Sequence, residues 1–229
     1  MKYQAVIFDL FGTLVSEPSR RKQQSVLWEM AAVLSVPADD FVRLWAETMD
    51  KRHLGILSSL EANIEYICRI IGAPVKADRI RLAYQLRVEF TQLPLKPREG
   101  AVELFSHLRT ADYRIGLISN CGPEVPPLWK ETALAPLVDI AIFSAAAGLK
   151  KPDPRIYRLA AEQLAVKPEG CLYIGDGDSS ELTGAANAGM HPVLISVFLE
   201  DASDDSRDKA EEWDGPVITS LKEVLALVE

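Results

Sequence analysis

The chain opens on an uninterrupted apolar run, Ala5 to Phe8, closed by Asp9. With no polar alternation, such a run reads as a strand buried on both faces, as in a covered parallel sheet. From Ser16 to about Leu93 the period changes to that of helices. Val26, Leu27, Met30 and Leu34 form one stripe, and Phe41, Leu44, Trp45 and Thr48 a second. Ile64, Ile67, Cys68 and Ile71 form a third, and Ile80, Ala83, Arg87 and Phe90 a looser fourth. Breaks fall at Val36-Pro37, at Gly55 and at Gly72-Ala73-Pro74. Four amphipathic helices with no strand between them predict a helical bundle inserted after the first strand. Its aromatic and methionine residues are expected in the bundle core.

An α/β rhythm follows Leu93-Pro94-Leu95-Lys96-Pro97, a proline-stiffened hinge candidate. Ala101, Leu104, Phe105 and Leu108 mark a helix, and Tyr113 to Ile118 a strand ending in Ser119-Asn120. Ile140 to Phe143 is the next strand, followed by Lys150-Lys151-Pro152-Asp153-Pro154. A helix carrying Ile156, Leu159, Ala160 and Leu164 leads to a strand from Cys171 to Ile174, which ends in Gly175-Asp176. Ala185, Ala186 and Gly189 mark a small-residue helix. Pro192 to Ser196 and Val217-Ile218 are further strands, and Leu221 to Val228 is a closing helix. Glu200 to Asp214 is acidic and nearly free of apolar residues, so it reads as a solvated excursion. Alternating strands and helices predict a doubly wound parallel sheet, Rossmann-like in class. The expected division is an α/β core of residues 1–15 and 94–229 with a helical cap of residues 16–93.

A chain of 229 residues can bury roughly 70% of its unfolded surface, so it needs no disulfide or structural metal. Its net charge of -8 disfavours nucleic acid and membrane surfaces as partners, since both call for a basic face. A small anionic substrate remains compatible with a local positive pocket. The three cysteines, Cys68, Cys121 and Cys171, form no CxxC and fit a reducing compartment. With no signal-peptide pattern and no membrane-length apolar run, the expectation is a cytoplasmic protein, monomeric or homodimeric.

Parallel strands would line up their carboxyl ends, where α/β sheets bind ligands. That edge would carry Asp9, Ser119-Asn120, Lys151, and Asp176 with Glu181. A nucleophilic carboxylate, a hydroxyl and amide pair, a cation and a second acidic group make a phosphate-site inventory. Two carboxylates about 4 Å apart would repel by about 4 kcal/mol at an effective dielectric near 20. Asp9 and Asp176 would therefore share a proton or hold a hard divalent cation. Magnesium suits the second case, because it takes carboxylates together with waters and phosphate oxygens.

In these motifs the chain resembles the haloacid dehalogenase-like (HAD) hydrolase superfamily over nearly its whole length. The first motif is FDLFGTL, Phe8 to Leu14; the second is Ser119; the third is Lys151 in KKPDP; the fourth runs from Gly175 to Met190. The helical insertion resembles the cap of the family's first cap class. The resemblance implies a covalent two-step mechanism in which Asp9 becomes a transient aspartyl phosphate. It implies magnesium on the Asp9 carboxylate, the Phe11 main-chain carbonyl and the Asp176 carboxylate. Ser119 and main-chain NH groups near Asn120 would bind phosphoryl oxygens, and Lys151 would neutralise charge.

One position departs from the family pattern. Phosphatases of this family carry a second Asp, a general acid, where this chain has Phe11. Phenylalanine transfers no proton, and general acid help is worth about 10²–10⁴-fold. The family's 2-haloacid dehalogenases have an aromatic residue there, need no metal, and attack carbon instead of phosphorus. Dehalogenation is thus the rival reading, and Asp176 weighs for phosphatase over it. A regulatory or binding protein with a weakened site is a third reading. Glu181 stands where the family more often has Asp and is expected to reach the metal through water, unless it simply starts a helix. Asp178 is expected to cap the same helix. In the cap, the turn region Arg52-His53-Leu54-Gly55 is the candidate for substrate contacts, with Arg20 and Arg21 as further options. Lys150, His107 and His191 read as structural or surface residues.

Overall fold

Strand β1 (Ala5–Phe8) is fully buried. Its alternate side chains feed two separate cores: Val6 and Phe8 enter one, Ala5 and Ile7 the other. A strand with apolar residues at every position suits the centre of a sheet covered on both sides. The computed structural model describes residues 2–74, 76–196 and 211–228.

After β1 the chain leaves the sheet for helices α1 (Arg20–Leu34), α2 (Ala38–Glu47), α3 (Met49–His53), α4 (Leu60–Ile71) and α5 (Ala77–Gln92). Side chains stop and start them. Ser19 accepts from Lys22 N and Ser59 from Ala62 N at two N-termini, while Gly72 closes α4 in the left-handed region. The bundle has its own core, with Met30, Phe41, Ile64 and Ile67 fully buried. The four expected helices are therefore present, with α3 in addition. Arg52 and His53, expected in a turn, lie on α3. Thr48 ends α2 because its hydroxyl bonds back to the carbonyls of Leu44 and Trp45.

The sheet then resumes with α6 (Ala101–Thr110), β2 (Arg114–Ser119), α7 (Val125–Trp129), β3 (Ile140–Phe143), α8 (Ser144–Ala147) and α9 (Pro154–Gln163). It is completed by β4 (Cys171–Gly175), α10 (Glu181–Asn187), β5 (His191–Ile195), β6 (Val217–Ile218) and α11 (Val224–Val228). The six strands run parallel in the order β3-β2-β1-β4-β5-β6. Helices α6 and α11 cover one face, α9 and α10 the other. This is the doubly wound sheet with an inserted helical bundle that the alternation predicts. The strand order reverses between β1 and β4, so a crevice opens beside their carboxyl ends.

Residues 200–210 of the acidic stretch lie outside the described residues, but Glu211 departs from a freely solvated reading. Its carboxylate accepts from Leu182 N at 2.6 Å and from Thr183 N and Oγ1, capping α10. His107 is exposed, and His191 is exposed while resting on the Tyr3 ring. Among the described residues, no helix is long and apolar enough to cross a membrane.

Phe105 is fully buried and stacks on Phe8 at 5.0 Å, joining α6 to β1. Phe105→Ala should lower unfolding free energy by about 3–5 kcal/mol, read from urea denaturation. A loss under about 1 kcal/mol would mean that this face repacks freely.

Candidate active site

Asp9 leaves β1 with its N–H bonded to the Ile174 carbonyl of β4 at 2.9 Å, which ties it to the switch point. The following turn needs Gly12, whose φ of 87° lies in the left-handed region. Asp9 is 5% exposed. Its Oδ1 accepts from Lys151 Nζ at 2.5 Å, while its Oδ2 is buried with no hydrogen-bond partner. Asp176, just past β4, is 5% exposed and accepts from Asp178 N at 3.2 Å.

Lys151 is held at both ends. Its backbone is clamped by Asn120, which accepts from Lys151 N at 2.8 Å and donates to Lys151 O at 3.1 Å. Its ammonium bridges Asp9 and Glu181, both at 2.5 Å, with the Tyr173 hydroxyl at 3.3 Å. Glu181, the first residue of α10, is fully buried. Its Oε2 also accepts from Tyr173 at 2.6 Å, and its Oε1 accepts from Gly177 N at 3.1 Å. Gly175 makes this possible, since a Cβ there would stand 2.1 Å from Oε1. Ser119, at the end of β2, has its hydroxyl buried beside the Cys121 thiol and otherwise without a hydrogen-bond partner.

Asp9, Ser119, Lys151 and Asp176, expected at separate strand ends, thus line one cleft of about 670 Å³. Phe11, Asn120, Arg52, His53, Arg20, Lys150 and Asp178 line it too; Arg21 is exposed outside it. The Asn120 side chain is spent on Lys151. Both Glu181 oxygens accept hydrogen bonds, Oε2 from Lys151 and Tyr173 and Oε1 from Gly177 N. Lys150 pairs across the cleft with Asp50 of α3 at 2.5 Å. Tyr173, which donates to Glu181, and Arg87 and Glu124, which line the cleft, belong to the site without a clear sign in the sequence. Tyrosines in a fully apolar strand or helix face look like core. The arginine interrupting the fourth apolar stripe was the one visible signal for Arg87.

Electrostatics point to a missing positive charge. Asp9, Asp176 and Glu181 offer carboxylate oxygens within 4.8 Å of one another. Asp9 and Glu181 both pair with the one Lys151 ammonium, so with both ionised the carboxylates of this trio outnumber its cation. Burial raises the Asp9 carboxyl from 3.8 to about 7; Lys151 opposes this and Glu181 adds to it. Burial likewise raises Glu181. For Lys151 burial works against the cation, but Asp9 and Glu181 more than reverse it, so its affinity for the proton rises. The orphaned Asp9 Oδ2 and the excess of hard carboxylate oxygens fit a divalent cation.

Residues 3–189 match the family model for haloacid dehalogenase-like hydrolases. The chain belongs to that family. This hydrolase is 26% identical over 234 residues to the glyceraldehyde 3-phosphate phosphatase of Methanothermobacter thermautotrophicus, covering 99% of this chain and 98% of that protein. It is 36% identical over 112 residues to the rhythmically expressed gene 2 protein of Drosophila melanogaster, a match spanning 46% of this chain and 43% of that protein. Among solved structures, a 2-haloacid dehalogenase from Pseudomonas syringae superposes with a TM-score of 0.70 at 20% identity, covering 99% and 98% of the two chains. At that identity the likeness concerns the fold alone.

The raised Asp9 carboxyl carries a stability signature. Folded protein binds this proton more tightly than unfolded protein, so the Asp9 contribution is complete below about pH 4 and lost as pH rises through about 7. Chelator-treated protein should therefore melt at a lower temperature at about pH 8 than at about pH 5. In Asp9→Asn that fall should shrink without vanishing, because Glu181 is raised as well. Equal falls in both proteins would assign the slope to other groups.

Proposed function

We propose that this hydrolase is a magnesium-dependent phosphatase acting on a small phosphorylated metabolite. Residues 16–93 would serve as a cap domain over a core of residues 1–15 and 94–229. The reading is carried by the excess of buried carboxylates around Lys151, which a phosphatase would offset with a divalent ion. Its curated relative named as a phosphatase, matched end to end, adds support. Magnesium would be held by Asp9, Asp176 and the Phe11 main-chain carbonyl, with Glu181 behind them. When bound, it would neutralise the approach of an anionic ester to an anionic nucleophile.

The residues of the chain would do the rest. The Asp9 carboxylate attacks phosphorus, forming an O–P bond as the bond to the leaving oxygen breaks. The leaving group departs with that electron pair, and water later cleaves the aspartyl phosphate to regenerate Asp9 and release phosphate. Lys151 stays paired to the nucleophile while charge spreads over the phosphoryl oxygens, which Ser119 Oγ is free to meet. Phe11 supplies no proton to the leaving oxygen, so esters of acidic alcohols and phenols are the favoured substrates.

The aromatic Phe11 also favours a second reading, in which Asp9 attacks carbon and releases halide. A panel of aryl phosphates and 2-chloropropionate, each run with and without magnesium, separates the two. The expected result is aryl phosphate hydrolysis that chelation removes and that Asp9→Asn reduces to background. Halide release without metal, and no phosphate release with it, would reverse the assignment. Phe11→Asp should raise phosphatase activity toward alkyl esters by about 10² or more if proton transfer limits the rate. An unchanged rate would place the limit elsewhere.

A further inference from the structure

The helical bundle brings to the cleft two arginines that the chemistry above does not use. Arg52, on α3, is 5% exposed, and its Nη1 donates to the Trp45 carbonyl and to Thr48 Oγ1, each at 2.7 Å. Arg87, on α5, donates from Nε to Glu124 Oε1 at 3.3 Å. Both guanidinium carbons lie over the Trp45 ring, at 4.3 and 5.2 Å, and that of Arg87 also lies 5.2 Å from the Phe90 ring. Among the described residues, Nε and Nη2 of Arg52 and both Nη atoms of Arg87 make no hydrogen bond. Both side chains line the same cleft as Asp9, Ser119 and Lys151.

Glu124 bonds Arg87 and also acts electrostatically on Arg52. Glu124 is 5% exposed and its second oxygen, Oε2, is buried without a partner against Gly122, where a Cβ would come within 2.3 Å. That carboxylate anchors Arg87, and among the described residues no carboxylate forms an ion pair with Arg52. Burial, then Arg87, pulls Arg52 from 12.5 to about 10, with Glu124 opposing. His53 is pulled to about 4 by burial and then by Arg52, so its imidazole is neutral at neutral pH and relieves nothing. A desolvated, uncompensated cation is costly unless an anion meets it. Planar, pre-stacked guanidiniums with spare donors suit an oxyanion that takes two hydrogen bonds at once.

We propose that Arg52 and Arg87 bind a second anionic group of the substrate, positioned by Glu124 and Trp45. The compound cleaved is then a phosphate monoester whose organic part carries a carboxylate or a second phosphate. This rests on the phosphatase reading for the phosphate end of the substrate only.

The test measures binding to Asp9→Asn protein, which does not turn substrate over. The ligands are para-carboxyphenyl phosphate, its neutral analogue para-carbamoylphenyl phosphate, and para-phenylene bisphosphate. The carboxylate or the bisphosphate should bind about 10-fold or more tightly than the amide, and the tighter of the two names the second group. Adding Arg87→Met should erase that preference, lowering affinity for the carboxylate and the bisphosphate by more than for the amide, and Arg87→Lys should restore part of it. Equal binding of all three ligands would overturn the proposal, and so would an equal loss for all three on Arg87→Met, the mark of a merely structural arginine. If Arg87→Met does not fold, the preference of the parent protein decides alone. Hydrolysis of the amide ester by unmutated protein with magnesium reports on the phosphatase reading separately: a binding preference without turnover would sink that reading and keep this one.

Discussion

A buried ammonium between two buried carboxylates governs this structure. Removing Lys151, Asp9 and Glu181 from water costs several kcal/mol per ion, on the order of what close pairing returns. The pairing works because three distant parts of the chain meet: the end of β1, the loop after α8 and the first turn of α10. Each is fixed by something else, Asp9 by the β4 ladder, Lys151 by the Asn120 amide, and Glu181 by Tyr173 and the Gly177 N–H. Losing any one partner would strand a largely desolvated charge. The same arrangement keeps a carboxylate aligned and acidic surroundings close at hand, which a phosphoryl acceptor and a cation site both require.

The helical bundle is joined to this arrangement in a different manner. Its interior is mostly apolar and its own, with Asn63 a fully buried polar exception, whereas polar contacts join it to the sheet. Lys150 pairs with Asp50, Arg87 pairs with Glu124, and Gly55 lies so close to the Ala145 carbonyl that a Cβ would stand 2.1 Å from it. Polar contacts of this kind exchange with water at modest cost, as they do between domains. The cleft is thus bounded on one side by the sheet edge and on the other by charged side chains of the bundle. Under the proposed reading, chemistry would belong to the first side and discrimination between substrates to the second.

Much of this was legible in the residues. β3 has the bounds that its apolar run suggests, and β1 and β4 end where Asp9 and Asp176 follow. Apolar period translates directly into burial, and burial into sheet or helix. Helix α3 was not legible, because five residues are too few to carry a period and the break at Thr48 comes from a hydroxyl turned back on its own helix. Glu181 was legible as an acid at a helix start. That its oxygens go to Lys151, Tyr173 and Gly177 depends on the separation of β4 from the lysine loop, which no local pattern encodes.

The sequence by itself determined the order of strands and helices, the insertion after β1 and the residue types available at the strand ends, since each follows from local periodicity and turn chemistry. The tertiary structure alone decided which of those residues touch. Arg87 meets Glu124 across 37 positions of chain, and Lys151 meets Asp9 across 142. Such pairings are settled by strand order and by the seating of the bundle, because charge acts through space and the chain's own numbering carries no distance.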